Sequence, residues 1–148
     1  MALRRKLDRY PGGGKLPMQI QGSLTIDGVL VVPVEAYTFA VTGTIAVATG
    51  KSRIYLEHDY VVETVRAAVH TAPAGAALVV DVNKNGTTIY TDQANRPSIA
   101  VGTNSATGNN PAVTTLAAGD YLTVDVDQVG SATAGADLTV TVRVRRAN

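Results

Sequence analysis

Gly119-Asp120-Tyr121-Leu122-Thr123-Val124-Asp125-Val126-Asp127 alternates apolar and polar residues from Tyr121 onward. After a Gly/Ala/Ser connector at 130–135, Asp137-Leu138-Thr139-Val140-Thr141-Val142-Arg143-Val144-Arg145 repeats the pattern. A strand turns successive side chains to opposite faces. Leu122, Val124 and Val126 therefore share one face, and Tyr121, Thr123, Asp125 and Asp127 the other. Leu138, Val140, Val142 and Val144 stand in the same way against Asp137, Thr139, Thr141, Arg143 and Arg145. The two runs read as a closing β-hairpin of an antiparallel sheet with one buried and one wet face. Function then has to sit on an exposed face, a loop or a tail.

The same grammar holds upstream. Strands are expected near 53–57, 60–70, 76–83, 86–91, 97–101 and 112–116, ahead of those at 120–128 and 137–146. Lys84-Asn85-Gly86 is a tight turn between two of them, since Asn and Gly both tolerate positive φ. Ala72-Pro73-Ala74-Gly75 and Gly119-Asp120 are further turns, and Gly102 to Pro111 is a polar loop of small residues, the expected mobile tip. About eight short strands with turns between them define an all-β chain, an antiparallel, jelly-roll-like β-sandwich.

Ahead of the sandwich lie a hairpin and an arm. Asp27-Gly28 separates Ser23-Leu24-Thr25-Ile26 from Val29-Leu30-Val31-Val32, a strong hairpin signal. Two β-like stretches follow, Tyr37 to Val41 and Thr44 to Ala48. Residues 1–18 read as an arm, because Tyr10-Pro11-Gly12-Gly13-Gly14 ends any regular structure begun at Leu3. The expected organisation is an anchoring region at 1–50 and a sandwich domain at 51–148.

Composition narrows the chemistry. The 148 residues include no Cys and no Trp, so there is no disulfide framework and no thiolate metal site. With one Phe, the core must come from Val, Leu, Ile and Ala. The net charge of +1 sets up no global field for nucleic acid. The charge is unevenly placed, however. Arg4, Arg5, Lys6, Arg9 and Lys15 crowd the first fifteen residues against Asp8 alone. No apolar region of signal-peptide type follows them, and no apolar run is long enough to span a bilayer.

Candidate catalytic groups are few. His58 and His70 are the two histidines. Glu57-His58-Asp59 invites a metal or acid/base reading, but adjacent strand residues face opposite sides, and a turn before strand 60–70 accounts for it. Asp125 and Asp127 share a face, which Asp81 or Asp137 joins if their strands are neighbours. Paired carboxylates bind calcium or hydrolyse glycosides. The plainer reading is a solvated face on which these Asp residues meet Arg143 or Arg145 across strands. No Gly-x-Ser-x-Gly or Walker motif is present, and the sequon Asn85-Gly86-Thr87 is explained by its turn. The basic arm fits an acidic protein surface better than nucleic acid. It has one aromatic, Tyr10, and no interleaved stacking residues.

Leu78-Val79-Val80-Asp81-Val82-Asn83-Lys84-Asn85-Gly86-Thr87-Thr88-Ile89-Tyr90, Asn95-Arg96-Pro97-Ser98-Ile99 and Leu116 to Ser131 carry a resemblance. With Ile54-Tyr55-Leu56 and Val65 to Val69, they resemble a β-sandwich module of tailed-bacteriophage virion proteins, found in head decoration proteins and minor tail or fibre proteins. The resemblance covers roughly residues 51–146. It implies a structural or adhesive role in the virion, assembled in the host cytoplasm, without catalytic residues, metal or cofactor. It also implies a homo-oligomer, a trimer by preference, that binds the major capsid protein or another virion protein and no membrane. A fibre shaft is missing from this chain, which favours a capsid decoration (cement) protein over the alternative, a tail-associated or glycan-binding receptor protein. On that reading the shell-docking residues are Arg4, Arg5, Lys6, Arg9, Tyr10 and Lys15.

Overall fold

A computed structural model of the protein describes residues 24–26, 29–31, 34–50 and 52–147, with side chains from Val34 onward. It divides into two compact units, Met1–Val31 and Val32–Asn148. In the first, β1 (Leu24–Ile26) pairs antiparallel with β2 (Val29–Val31), Leu24 opposite Val31 and Ile26 opposite Val29. Asp27-Gly28 lies between them in sequence, as the hairpin signal requires.

The second unit is an all-β sandwich of two antiparallel sheets. The first sheet is built on β3 (Val34–Thr44), β5 (Tyr60–Thr71) and β12 (Ala136–Arg146). Its order is β10-β5-β12-β3, where β10 is Thr115–Leu116, and β9 (Ser105–Thr107) also pairs with β5. The second sheet centres on β11 (Tyr121–Gln128) and β6 (Leu78–Lys84). β4 (Arg53–Tyr55) flanks β11, and β7 (Thr87–Thr88) and β8 (Ser98–Ile99) flank β6. A 3-10 turn, Gln93–Asn95, is capped by the Asp92 carboxylate accepting from the Ala94 N–H.

Alternation decides the apolar burial, but the opposite face of the second sheet is not simply wet, since Asp81, Asn83 and Thr123 are buried there. Leu138, Val140, Val142 and Val144 of β12 join Val65, Ala67 and Val69 of β5 on one inner face. Leu122 and Val126 of β11 join Leu78, Val80 and Val82 of β6 on the other. Two such faces stacked together form the core, and aliphatic residues do not fill it alone, because Phe39, Tyr60 and Tyr90 are buried in it as well. The turn at 85–86 is as the sequence requires. Asn85 (φ 51) and Gly86 (φ 83) both take positive φ, and β6 pairs with β7 across them.

Four expectations need correction. First, β11 and β12 do not form a hairpin; they lie in different sheets, and residues 129–135 carry the chain from one sheet to the other. Each strand has one apolar face, and those faces bury each other across the sandwich instead of lying side by side. Gly130 makes the crossing possible. It is buried where a Cβ would overlap the Thr133 carbonyl and come within 2.8 Å of the Ala74 backbone. Second, the stretches at 37–41 and 44–48 are not two strands. β3 runs unbroken from Val34 to Thr44, and Ala48 makes an isolated bridge to Val126. Third, the compact unit starts at Val32, so β3 belongs with the sheets and not with the arm. Fourth, Gly102 to Pro111 is not a plain loop. β9 pairs there with Arg66, Ala67 and Ala68, and Gly108 N–H donates to the Val65 carbonyl at 2.9 Å.

Candidate functional site

The docking residues expected in the arm, Arg4, Arg5, Lys6, Arg9, Tyr10 and Lys15, lie outside the described residues. The carboxylates on β11 do lie within them, on the outer face of the second sheet. The register sets Asp125 directly opposite Asp81, and Thr123 between Asn83 and Arg53. Like charges directly opposite each other are unfavourable, and the local structure relieves this pair. Asp81 is buried, and its Oδ1 accepts from the Thr88 hydroxyl at 2.8 Å and the Val82 N–H at 2.7 Å. Burial, more than any charge, pushes its carboxyl above the usual carboxylate range. Asp125 Oδ1 accepts from the Gly50 N–H at 2.6 Å. Asp127 pairs with Arg96.

The remaining sequence candidates separate in space. Asp137 sits on β12 in the other sheet, where its Oδ1 accepts from the Gly43 N–H at 2.8 Å. Arg143 and Arg145 are likewise on β12, so they do not meet Asp125 or Asp127. Arg145 approaches Glu63 at 3.9 Å instead. His58 and His70 are exposed, and the His58 ring meets Tyr60 edge-on at 6.2 Å. Asp59 Oδ1 accepts from the Ala118 N–H at 2.8 Å, a bond that ties the segment before β5 to the turn before β11. Among the described residues no three His, Asp or Glu side chains gather into a metal-holding group.

The best-built polar constellation joins the two motifs that carry the resemblance. Asn85, in the β6–β7 turn, donates from Nδ2 to Asp120 Oδ1 at 2.6 Å and accepts at Oδ1 from the Tyr121 N–H at 3.0 Å. Its own N–H donates to the Tyr121 carbonyl at 2.9 Å. Lys84 Nζ stands 3.0 Å from Asp120 Oδ2, which also accepts from the Ala117 N–H at 2.8 Å. The Ala117 N–H, then the Asn85 amide, with Lys84 adding to them, holds the Asp120 carboxyl down at about 2. A short turn, Asn85-Gly86, is thereby locked to a second turn 35 residues along the chain.

Two further clusters escaped sequence reading. Beside that knot, the Arg53 guanidinium lies 4.0 Å from the Tyr121 ring centroid, and Tyr121 lies 5.6 Å from Tyr55. Tyr55 is 57% exposed, so this is an aromatic and cationic surface rather than core. Elsewhere, Tyr60 donates to Glu35 Oε2 at 2.7 Å, Arg146 approaches Glu35 Oε1 at 3.5 Å, and the Tyr37 ring packs edge-on against Tyr60. That group ties β3, β5 and β12 together at one end of the sheet. Its only sequence signal is Glu35, the single charge in β3.

No family model, curated protein or solved structure matches the chain.

Proposed function

We propose that this chain is a structural virion protein, a capsid decoration protein that binds the phage head shell through its N-terminal region. The observation that carries the proposal is the Asn85–Asp120 knot. The residues of the Asp-Val-Asn-Lys-Asn-Gly and Gly-Asp-Tyr-Leu motifs, which carry the resemblance, tie the β6–β7 turn to the start of β11 in the second sheet. The module is thus a scaffold, and the densest charge in the sequence remains the basic arm. In this reading the sandwich projects from the shell, and Arg4, Arg5, Lys6, Arg9 and Lys15 meet acidic groups of the major capsid protein, with Tyr10 as the aromatic anchor. No cofactor or metal enters.

Reversing the arm's charge tests it. Full-length protein with Arg4, Arg5, Lys6, Arg9 and Lys15 changed to Glu is expected to keep its fold by circular dichroism. It is expected to lose at least tenfold in co-sedimentation with undecorated heads. Undiminished binding by that variant refutes arm docking.

One observation favours a second reading, a tail-associated receptor protein that recognises glycan. Tyr55, Tyr121 and Arg53 form an exposed patch of the residue types that dominate binding surfaces. Its mark is binding of the isolated protein to host cells that Tyr55→Ala abolishes. Heads bound with wild-type strength by Tyr55→Ala support the first reading.

A further inference from the structure

We propose that the outer edge of β3 is an interface with a second copy of this chain, the two β3 strands pairing antiparallel about a two-fold axis. β3 pairs with β12 along one side from Val34 to Thr44. Among the described residues no strand pairs along its other side. At about 3.3 Å per residue the open edge is roughly 36 Å long. Natural sheets guard such an edge with lysine, proline, a bulge or brevity. β3 has 11 residues, and Ala36–Thr44 holds neither charge nor proline. Its one charge, Glu35, is engaged by Tyr60 and Arg146. The register shift opposite Asp137 touches only the far end.

Apolar surface collects along the same edge. Val34 and Val41 of β3 are 47% and 42% exposed, and Val47, three residues past its end, is 63% exposed. A groove of about 250 Å³ opens between the sheets beside the strand, lined by Phe39, Val41, Ala46, Ala48, Val124 and Leu138. Exposed valines beside an apolar groove give a partner strand side-chain contacts in addition to backbone hydrogen bonds.

Charge and length single out the occupant. A strand laid on β3 has to match a long, neutral edge. The other edge strands of the sandwich, β4, β7, β8, β9 and β10, have two or three residues each. Only β3 matches β3. Self-pairing opposes no like charges over Ala36–Thr44, whereas an acidic or basic partner finds no counter-charge there. Identical strands paired antiparallel make an isologous contact, the commonest closed symmetry. The assembly is then a closed dimer, in place of the three-fold arrangement that the resemblance implies. The inference is independent of any particle.

Light scattering and amide exchange on the full-length protein test it. The expected mass is twice the 15.4 kDa of one chain. Exchange of the amides in 36–42 is expected to slow at least tenfold between dilute and concentrated samples. Thr38→Lys with Ala40→Lys, both exposed on the strand, is expected to give a monomer with an unchanged circular dichroism spectrum. Thr87→Lys on β7, in the other sheet, is expected to leave the dimer intact. A monomeric wild type with concentration-independent exchange, which would mean an edge open or covered from within its own chain, overturns the inference. So does a trimer, or an oligomer whose mass the double variant leaves unchanged. Should the double variant misfold, the concentration dependence of wild-type exchange decides alone.

Discussion

Asp120 is a small residue with a large share of the local hydrogen bonding. It accepts from the Ala117 N–H and the Asn85 amide and pairs with Lys84. Asp120→Ala is expected to cost about 2 kcal/mol at pH 7, because hydrogen bonds to a charged group are worth about 1.5–3 kcal/mol and the donors lose their acceptor. Urea midpoints measure the loss. The pH dependence has a definite sign. The folded carboxyl sits at about 2, below the ordinary value of about 3.9. Its contribution is complete above about pH 4 and fades as the pH falls toward 2. The wild-type advantage over the Ala variant should narrow across that window. Asp81 has the opposite sign. Burial raises its carboxyl, so ionisation works against the fold as the pH rises past the ordinary carboxylate value. Asp81→Asn keeps an oxygen to accept from Thr88 and Val82 and is expected to raise the melting temperature at pH 7, with the difference vanishing at pH 3. Tyr90 makes a third case. Its buried hydroxyl has no hydrogen-bond partner among the described residues, and a Cβ at Gly108 would sit 2.5 Å from it. Tyr90→Phe removes an unmet donor, and stability is expected to hold or rise by about 1 kcal/mol. A loss above that in a thermal melt would mean the hydroxyl has a partner.

At the level of elements, the crossing at 129–135 distinguishes a sandwich from a hairpin. Gly130→Ala drives a methyl group into the Ala74 and Thr133 backbone, and a cost of about 3 kcal/mol or more is expected. Gly102→Ala, with φ +73 and open space around it, carries only the left-handed backbone cost of about 1–2 kcal/mol. Paired denaturation curves separate the two. Alternation and turn chemistry made most strands legible, because burial imposes a period of two and Asn85-Gly86 needs positive φ. Neighbours were not legible. Leu122 to Val126 and Leu138 to Val144 state that each strand has an apolar face, but not whether the faces lie side by side or opposed. The meeting of Asp81 with Asp125 depended on the same unknown. β9 was hidden because Ser105-Ala106-Thr107 has no apolar alternation; it is a strand because β5 offers it an edge. The Asn85–Asp120 knot joins residues 35 apart in sequence, so neither motif alone signals it.

The whole molecule pairs a mildly acidic, hydrogen-bonded scaffold with two surfaces of different character. One is the basic sequence at 4–15, and the other is the uncharged edge of β3. On the proposed function, docking by the first is electrostatic, so shell binding is expected to weaken as salt rises. Pairing by the second is apolar and backbone-driven, so self-association is expected to change little with salt. Titrating sodium chloride in both assays checks that contrast. The most direct measurement of the central claim is cryo-electron microscopy of virions carrying this chain. The sandwich is expected at symmetry-related sites on the outer surface of the head, with the segment at 1–15 running along the shell. Sandwich density confined to the tail, or a head lattice without it, would contradict the account.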